Sequence, residues 1–138
     1  KLDLGIAGKT MVIQGLGNVG SYAGMICQKE GGVRVIGVSE QEGTIISDKD
    51  INIEKLVEYR KQKGSILGFP GTKRLEHRED WVKIECDILL PAALESQINK
   101  ENAKFVKARI IGEAANGPVT ADAEAILLKK GVLIMPDM

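Results

Sequence analysis

A glycine-rich segment that directly follows an apolar run is the feature that most restricts how this chain can fold. Residues Thr10–Gln14 read as a strand, and Gly15, Gly17 and Gly20 then occupy the first, third and sixth positions of the next six residues. In a strand–turn–helix unit the first glycine permits a sharp turn, the second lets phosphates approach the backbone, and the third allows close helix packing. Glycine-rich turns alone are common, but in this setting the pattern predicts a turn that binds a dinucleotide pyrophosphate.

An acidic residue stands where such a fold places the group that binds the adenosine ribose. Residues 33–39 form a second apolar run, and Glu40 follows it, 20 residues beyond Gly20. A carboxylate there accepts hydrogen bonds from the ribose hydroxyls. A 2′-phosphate about 4 Å from Glu40 would be repelled by roughly 4 kcal/mol per charge pair at an effective dielectric near 20. The sequence therefore predicts NAD as the favoured cofactor, with NADP accepted only where nearby cations compensate.

The composition is that of one ordinary folding domain. Of 138 residues, 43% are hydrophobic, which is enough for a core, and the 19 acidic residues balance the 19 basic ones. This balance predicts neither a nucleic-acid surface nor a polybasic membrane contact, so small molecules and like subunits are the expected partners. The chain has only two cysteines, which indicates buried free thiols and not a secreted disulfide framework. No apolar run approaches the roughly 20 residues that span a bilayer, and we therefore expect an intracellular protein. Lys1, where a Met would normally stand, indicates a piece of a longer or processed chain.

Strand and helix patterns alternate along the rest of the chain. Asn52 and Thr120 are expected to cap two helices that end at Gly64 and Gly131. Further helices are expected over residues 19–30 and 99–106, strands over 87–91, 109–113 and 132–135, a loop over 65–74, and a loop or short hairpin over 41–50. Such alternation implies right-handed crossovers, and hence an α/β, Rossmann-like doubly wound fold whose mainly parallel sheet has helices on both faces.

The turns after the first two strands are the strongest candidate binding sites, because ligands of an open parallel sheet gather beyond the carboxyl ends of its strands. In the first turn the amides of Asn18 and Val19 begin a helix and point at an anion, to which the helix dipole adds roughly 0.3–1 kcal/mol. In the second turn Gln41 follows Glu40. We expect these residues to contact the adenosine and pyrophosphate parts of the cofactor.

Two later turns are weaker candidates. Ala92 and Ala93 form a small apolar turn that suits the nicotinamide end of an extended cofactor, although a tight strand-to-helix corner explains them equally well. Asn116 offers both donor and acceptor groups, yet Asn-Gly-Pro is also ordinary turn chemistry. His77 lies in a charge run that is typical of a solvated surface, and no His/Cys cluster or carboxylate spacing predicts a metal site.

Taken in order, these turns resemble the cofactor-binding domain of the glutamate dehydrogenases, within the wider glutamate/leucine/phenylalanine/valine dehydrogenase family. The resemblance covers nearly the whole chain and is carried by residues 8–20, 65–70, 87–93 and 116–118. Three positions depart from the family pattern. Leu16 replaces the usual Phe, Ala114 replaces Gly, and Gln41 replaces a small hydroxyl residue of some dual-cofactor relatives, which adds to the NAD preference.

The resemblance also implies roles for the turn residues. The pyrophosphate would be held by Gly15, Gly17, Asn18, Val19 and Gly20, the adenosine ribose by Glu40, and the nicotinamide half would lie near Ala92, Ala93 and Asn116. Residues 1–138 would form an NAD(P)-binding domain, with the catalytic residues in a substrate domain that this sequence lacks. The implied reaction is oxidative deamination of L-glutamate to 2-oxoglutarate and ammonia, by a homo-hexameric enzyme.

Other interpretations stay open at this point. A leucine, phenylalanine or valine dehydrogenase would share these turns, because its substrate choice rests largely on side chains outside this chain. A non-catalytic NAD-sensing regulatory module, like the ligand-gated domains of potassium channels, would share the glycine turn and the acid. The expected compartment is the cytoplasm, or the mitochondrial matrix if the source is eukaryotic.

Overall fold

The fold is an α/β sheet, described over residues 6–93, 97–114 and 118–135 of a computed structural model. The strands in these residues are β1 (Thr10–Gln14), β2 (Arg34–Glu40), β3 (Gly43–Ile46), β4 (Lys73–Arg74), β5 (Ile88–Pro91), β6 (Ile110–Gly112) and β7 (Leu133–Met135). The α-helices are α1 (Asn18–Lys29), α2 (Ile53–Lys63) and α3 (Ala121–Lys129), and short 3₁₀ segments cover Arg78–Lys83 and Ala103–Phe105. None of the helices in this part of the chain has the length and apolar character needed to cross a membrane.

The strand order places a switch point beside the glycine turn. Across the described sheet the order is β4-β3-β2-β1-β5-β6-β7. Strands β2, β1, β5, β6 and β7 are parallel, whereas β3 and β4 join as an antiparallel edge. The chain leaves β1 for β2 on one side and later returns to β5 on the other, so a crevice opens beyond the carboxyl ends of β1 and β5. The doubly wound, mainly parallel fold predicted from the sequence is confirmed.

Apolar side chains on the two faces of the sheet form two separate cores. Met11 and Ile13 of β1 pack with α1 and α2, whereas Val12 between them packs with α3 and the 3₁₀ segments. This division follows from the alternation of side chains along a strand. Both free cysteines are buried in these cores, as expected, and Trp81 is buried with them.

The helix ends follow the local sequence signals. The Asn52 side chain accepts a hydrogen bond from the Lys55 amide at 2.9 Å, and Gly64 ends α2 with a φ of 77° in the left-handed region. Thr120 caps α3 by accepting from the Ala123 amide at 3.2 Å. Both caps predicted from the sequence are confirmed.

In three segments the secondary structure either decides between alternatives that the sequence patterns leave open or differs from what they predict. Residues 41–50 adopt the hairpin alternative, and the expected loop over 65–74 ends in the short strand β4. The expected helix over residues 99–106 is wrong, because only Ala103–Phe105 form one 3₁₀ turn. Side-chain oxygens of Asn99 and Asn102 accept hydrogen bonds from neighbouring amides there, which favours turns over a helix.

Candidate dinucleotide site

Two glycines of the turn after β1 are required by the turn itself. Gly15 has a φ of 99°, which favours glycine, and a Cβ added to it would lie 2.7 Å from the Cβ of Ala93. A Cβ on Gly20 would overlap the carbonyl oxygen of Gly15 and approach Ala92. The turns after β1 and β5 therefore lie against each other at the switch point, with room only for glycine at positions 15 and 20.

Gly17, between them, behaves differently. Its backbone angles, φ −71° and ψ −171°, are open to any residue. A Cβ added there would meet no atom of the described residues within 4 Å. Packing within this part of the chain therefore does not require glycine at position 17. The residue leaves open space at the start of α1, where the sequence predicts that phosphates approach.

The start of α1 presents backbone amides that have no partner within the helix. The first intrahelical bond runs from the Ser21 amide to the Gly17 carbonyl at 2.9 Å, so the amides of Asn18, Val19 and Gly20 precede the helical ladder. Among the described residues no side chain caps this end, and the first turn of α1 carries no acid, whereas α2 and α3 each have a capping side chain and an acid in the first turn. The partial positive charge of the α1 N-terminus is thus open to an external anion.

Glu40 is held against the glycine turn. Its carboxylate is largely buried, and Oε2 accepts a hydrogen bond from the Leu16 amide at 2.5 Å. Oε1 accepts from the Gln41 amide at 3.2 Å. The pairing of β1 with β2 causes this proximity, since the Gly15 amide also donates to the Ser39 carbonyl at 2.8 Å. The predicted ribose-binding acid and the predicted phosphate-binding turn therefore meet, while the side chain of Gln41 lies exposed beside them.

A cation that sequence reasoning missed lies beside this acid. Nη2 of Arg60, in the last turn of α2, is 3.3 Å from Oε1 of Glu40. The same guanidinium donates through Nε and Nη2 to the Glu42 carboxylate at 3.0 and 3.1 Å. Its only signal in the sequence is the cluster of basic residues that ends α2, which does not indicate where that helix packs.

The Glu42 carboxylate is fixed from two sides. It accepts from Arg60 and also from the Ile66 amide, at 2.9 Å. Burial on its own would raise the pKa of Glu42, but the hydrogen bonds from Arg60 and the Ile66 amide outweigh it and hold that pKa below its ordinary value. Glu42 is thus a carboxylate anion that orients Arg60 at the edge of the site.

A second missed cation contacts the end of β2. Nε of Arg78 donates to the carbonyl of Glu40 at 2.6 Å, and the Arg78 carbonyl accepts from the Thr44 hydroxyl. Arg78 belongs to the charge run that was expected to be solvated, and half-burial of its side chain departs from that expectation. His77, in the same run, is exposed as expected.

The turn after β5 adjoins the glycine turn through Gln14. The Ala92 amide donates to the Gln14 carbonyl at 2.7 Å, and the Ala93 amide to the buried Gln14 side chain at 3.4 Å. Asn116, the fourth candidate, lies outside the described residues. Within residues 6–93, 97–114 and 118–135, no group of three His, Cys, Asp or Glu side chains is arranged to hold a metal ion.

A cleft of about 640 Å³ opens beside these charged groups, between α1 and α2. It is lined by Leu16, Asn18, Ser21, Tyr22, Met25, Val57, Arg60, Lys61 and Gly64. The lining joins the glycine turn to Arg60, so a ligand seated on the turn has access to that guanidinium.

Known proteins resemble this chain over nearly its whole length. The model of the glutamate/leucine/phenylalanine/valine dehydrogenase family matches residues 1–138. The NADP-specific glutamate dehydrogenase of Saccharolobus shibatae is 44% identical over 134 residues, which are 97% of this chain and 31% of that protein. The mitochondrial glutamate dehydrogenase of Dictyostelium discoideum is 44% identical over 137 residues, 99% of this chain and 27% of that protein.

A solved structure shows the same fold. The hetero-hexameric glutamate dehydrogenase from Thermus thermophilus, in its Leu-bound form, superposes with a TM-score of 0.83 at 30% identity. The match covers 96% of this chain and 30% of that one, so the chain spans less than a third of each of these relatives. The family resemblance inferred from the glycine and alanine turns is confirmed, and the chain belongs to the glutamate/leucine/phenylalanine/valine dehydrogenase family.

Proposed function

We propose that residues 1–138 form the NAD-binding domain of an amino-acid dehydrogenase, and specifically of a glutamate dehydrogenase. The observation that carries this proposal is the position of Glu40, whose carboxylate is bound to the Leu16 amide beside the open space at Gly17. A buried acid next to an uncapped helix start provides an acceptor for ribose hydroxyls and donors for a pyrophosphate.

The proposed contacts follow the crevice from one strand to the next. The amides of Asn18, Val19 and Gly20 would donate to the pyrophosphate, and Glu40 would accept from the adenosine ribose. The nicotinamide half would extend towards Ala93, because the turn after β5 packs on the turn after β1. We also propose that Asn116 lies near the nicotinamide half of the cofactor.

The proposed cofactor preference is for NAD over NADP. Glu40 repels a 2′-phosphate, and the adjacent guanidinium of Arg60 is already paired with Glu42. Arg60 nevertheless lies close enough to soften this repulsion. Since the relative from S. shibatae is NADP-specific by name, NADP is the second cofactor with which the site should be tested.

The proposed reaction is the oxidative deamination of L-glutamate. Bound NAD would accept the hydride of the substrate α-carbon, and water would hydrolyse the resulting substrate imine to 2-oxoglutarate and ammonia. The role of this chain is to bind and orient the cofactor. We propose that the groups that bind and deprotonate the substrate belong to the remainder of a hexameric enzyme, so the chain alone is inactive. Leucine, phenylalanine and valine are the alternative substrates within the family.

A titration of the 138-residue chain with NAD tests the binding proposal. We expect saturable heat release in calorimetry, and weaker binding after Gly17→Val, which places a branched side chain in the phosphate space. Circular dichroism controls for folding of both proteins. If the folded chain shows no heat of binding at millimolar NAD, the proposal is wrong. Light scattering with and without NAD addresses the sensor alternative, which predicts a change of assembly state.

A further inference from the structure

We propose that Glu42 is a specificity-determining residue of this site, which acts through Arg60 to disfavour the 2′-phosphate of NADP. The inference rests on the proposed function, because it concerns the cofactor choice of the same site. We do not place Glu42 in contact with the ribose. It is a positioning residue that decides how much of the Arg60 charge and hydrogen-bonding capacity is left for a ligand.

The geometry joins three side chains into one network. Arg60 makes a two-bond pair with Glu42, at 3.0 and 3.1 Å, and a single longer contact with Glu40, at 3.3 Å. The Ile66 amide holds Glu42 in place from behind. The side chains of Arg60, Glu42 and Glu40 are 33%, 19% and 11% exposed, so solvent only partly screens their charges.

The charge balance of this network opposes a second anion. Two carboxylates share one guanidinium, so the three side chains of this network together carry a net charge of −1. The paired edge of Arg60, formed by Nε and Nη2, is one of the two edges by which a guanidinium can bind phosphate oxygens two at a time. Because Glu42 occupies that edge and offsets the Arg60 charge, a 2′-phosphate would meet the charge of Glu40 with fewer Arg60 donors and less of its charge left to compensate.

Neutralising Glu42 would reverse this balance. Glutamine at position 42 keeps the length of the side chain but removes its charge, so Arg60 then balances Glu40 and has donors available for a phosphate. The other nearby cations do not change in this comparison. Lys61 is exposed, and Arg78 donates to the main-chain carbonyl of Glu40 with or without the Glu42 charge.

A purely structural role for Glu42 predicts a different result. If Glu42 only anchors the segment around Ile66, its loss would loosen the site and weaken NAD and NADP binding by the same factor. The ratio of the two dissociation constants therefore separates the two roles, because it does not respond to a general loss of folded protein.

The experiment is a calorimetric titration of wild-type chain and Glu42→Gln with NAD and with NADP. We expect the wild type to prefer NAD, and Glu42→Gln to lower the Kd for NADP by about tenfold or more while the Kd for NAD changes little. Glu42→Asp, whose carboxylate is one methylene farther from Arg60, should shift the ratio less and in the same direction. If Glu42→Gln does not fold, the ratio measured for Glu42→Asp tests the inference instead.

Two controls make the result specific. Glu58→Gln removes the same charge from an exposed position of α2 and should leave the ratio unchanged. Arg60→Met in the Glu42→Gln background should abolish the gain in NADP affinity. An unchanged ratio in a folded Glu42→Gln variant that binds NAD, or a gain that survives Arg60→Met, overturns the inference alone. A folded wild-type chain that binds neither dinucleotide overturns the proposed function and the inference together.

Discussion

The carboxylate of Glu40 accepts a hydrogen bond from the backbone amide of Leu16, although the two residues are 24 positions apart in the chain. Both residues are largely buried. Glu40 ends β2, and Leu16 lies two residues beyond the end of the neighbouring strand β1. The acid proposed to hold the ribose therefore also closes the turn proposed to hold the pyrophosphate. A substitution at position 40 should act on stability and on cofactor choice at once.

Replacement of Glu40 by glutamine should separate these two effects. Glu40→Gln keeps a side-chain oxygen for the Leu16 amide, so we expect a loss of only about 1 kcal/mol in unfolding free energy. Removal of the negative charge should reduce the discrimination against NADP. Glu40→Ala also leaves the buried Leu16 amide without its acceptor and should cost more, about 1–3 kcal/mol. Urea unfolding and paired titrations with NAD and NADP measure both quantities. Undiminished discrimination in Glu40→Gln would exclude charge repulsion as its cause.

A methyl group added at Gly17 should mainly weaken NAD binding, whereas the same group added at Gly20 should mainly destabilise the fold. Gly17→Ala meets no described atom, so we expect its unfolding free energy to stay within about 1 kcal/mol of wild type while NAD binding weakens. Gly20→Ala pushes a methyl group into the Gly15 carbonyl and should destabilise the chain by about 1–3 kcal/mol. Urea unfolding and NAD titration of both variants provide the check. Full NAD affinity in Gly17→Ala would show that phosphates do not occupy the space at this position.

Acidification should weaken the fold in part through Glu42. Its pKa is lowered in the folded chain, where hydrogen bonds from Arg60 and the Ile66 amide outweigh the effect of burial. The ordinary pKa of a glutamate is 4.5. Because the pKa of Glu42 is lower than this in the folded chain, Glu42 stabilises the fold at pH values above 4.5, and this contribution is lost as the pH falls below 4.5. The stability difference between wild type and Glu42→Gln should therefore shrink on acidification. Urea midpoints at neutral pH and below the ordinary value test this, and a constant difference would contradict it.

The two cysteines should be unreactive until the chain unfolds. Burial, with a smaller effect from the neighbouring Asp87 charge, raises the pKa of Cys86 to about 12, and burial also raises the pKa of Cys27. Since the thiolate is the nucleophile, the folded chain should resist iodoacetamide at neutral pH, and both thiols should react in urea. Mass spectrometry counts the added groups. Rapid modification of Cys86 in the folded chain would show that this core opens readily.

Local patterns predict much of the fold because they describe interactions between residues that are close in sequence. Asn52, Thr120 and Gly64 act on helix ends within a few residues of themselves, and the structure places them as expected. The helix predicted over residues 99–106 is wrong, and the cause is again a local interaction. Asparagine side chains that compete for nearby amides decide that segment, and a hydrophobic period does not record them.

Some residues of the proposed site can likewise be predicted from local sequence patterns, and others cannot. The glycine turn and Glu40 are visible in the sequence, since their spacing reflects one strand–helix–strand unit. The pairing of Arg60 with Glu42 and Glu40 is not, because it depends on how α2 packs beside the end of β2. No spacing rule specifies that packing, so the sequence alone does not reveal that the guanidinium of Arg60 contacts Glu40.

The sequence by itself determined the α/β class, the glycine turn, the acid after the second strand and the resemblance to a dehydrogenase family. Only the tertiary structure decided which groups share the site: Leu16 donating to Glu40, Arg60 held between two carboxylates, and Ala93 against Gly15. The physical reason is that backbone preferences act over a few residues, whereas electrostatic and packing interactions depend on distance in space. That distance is set only when the strands pair and the helices pack on them.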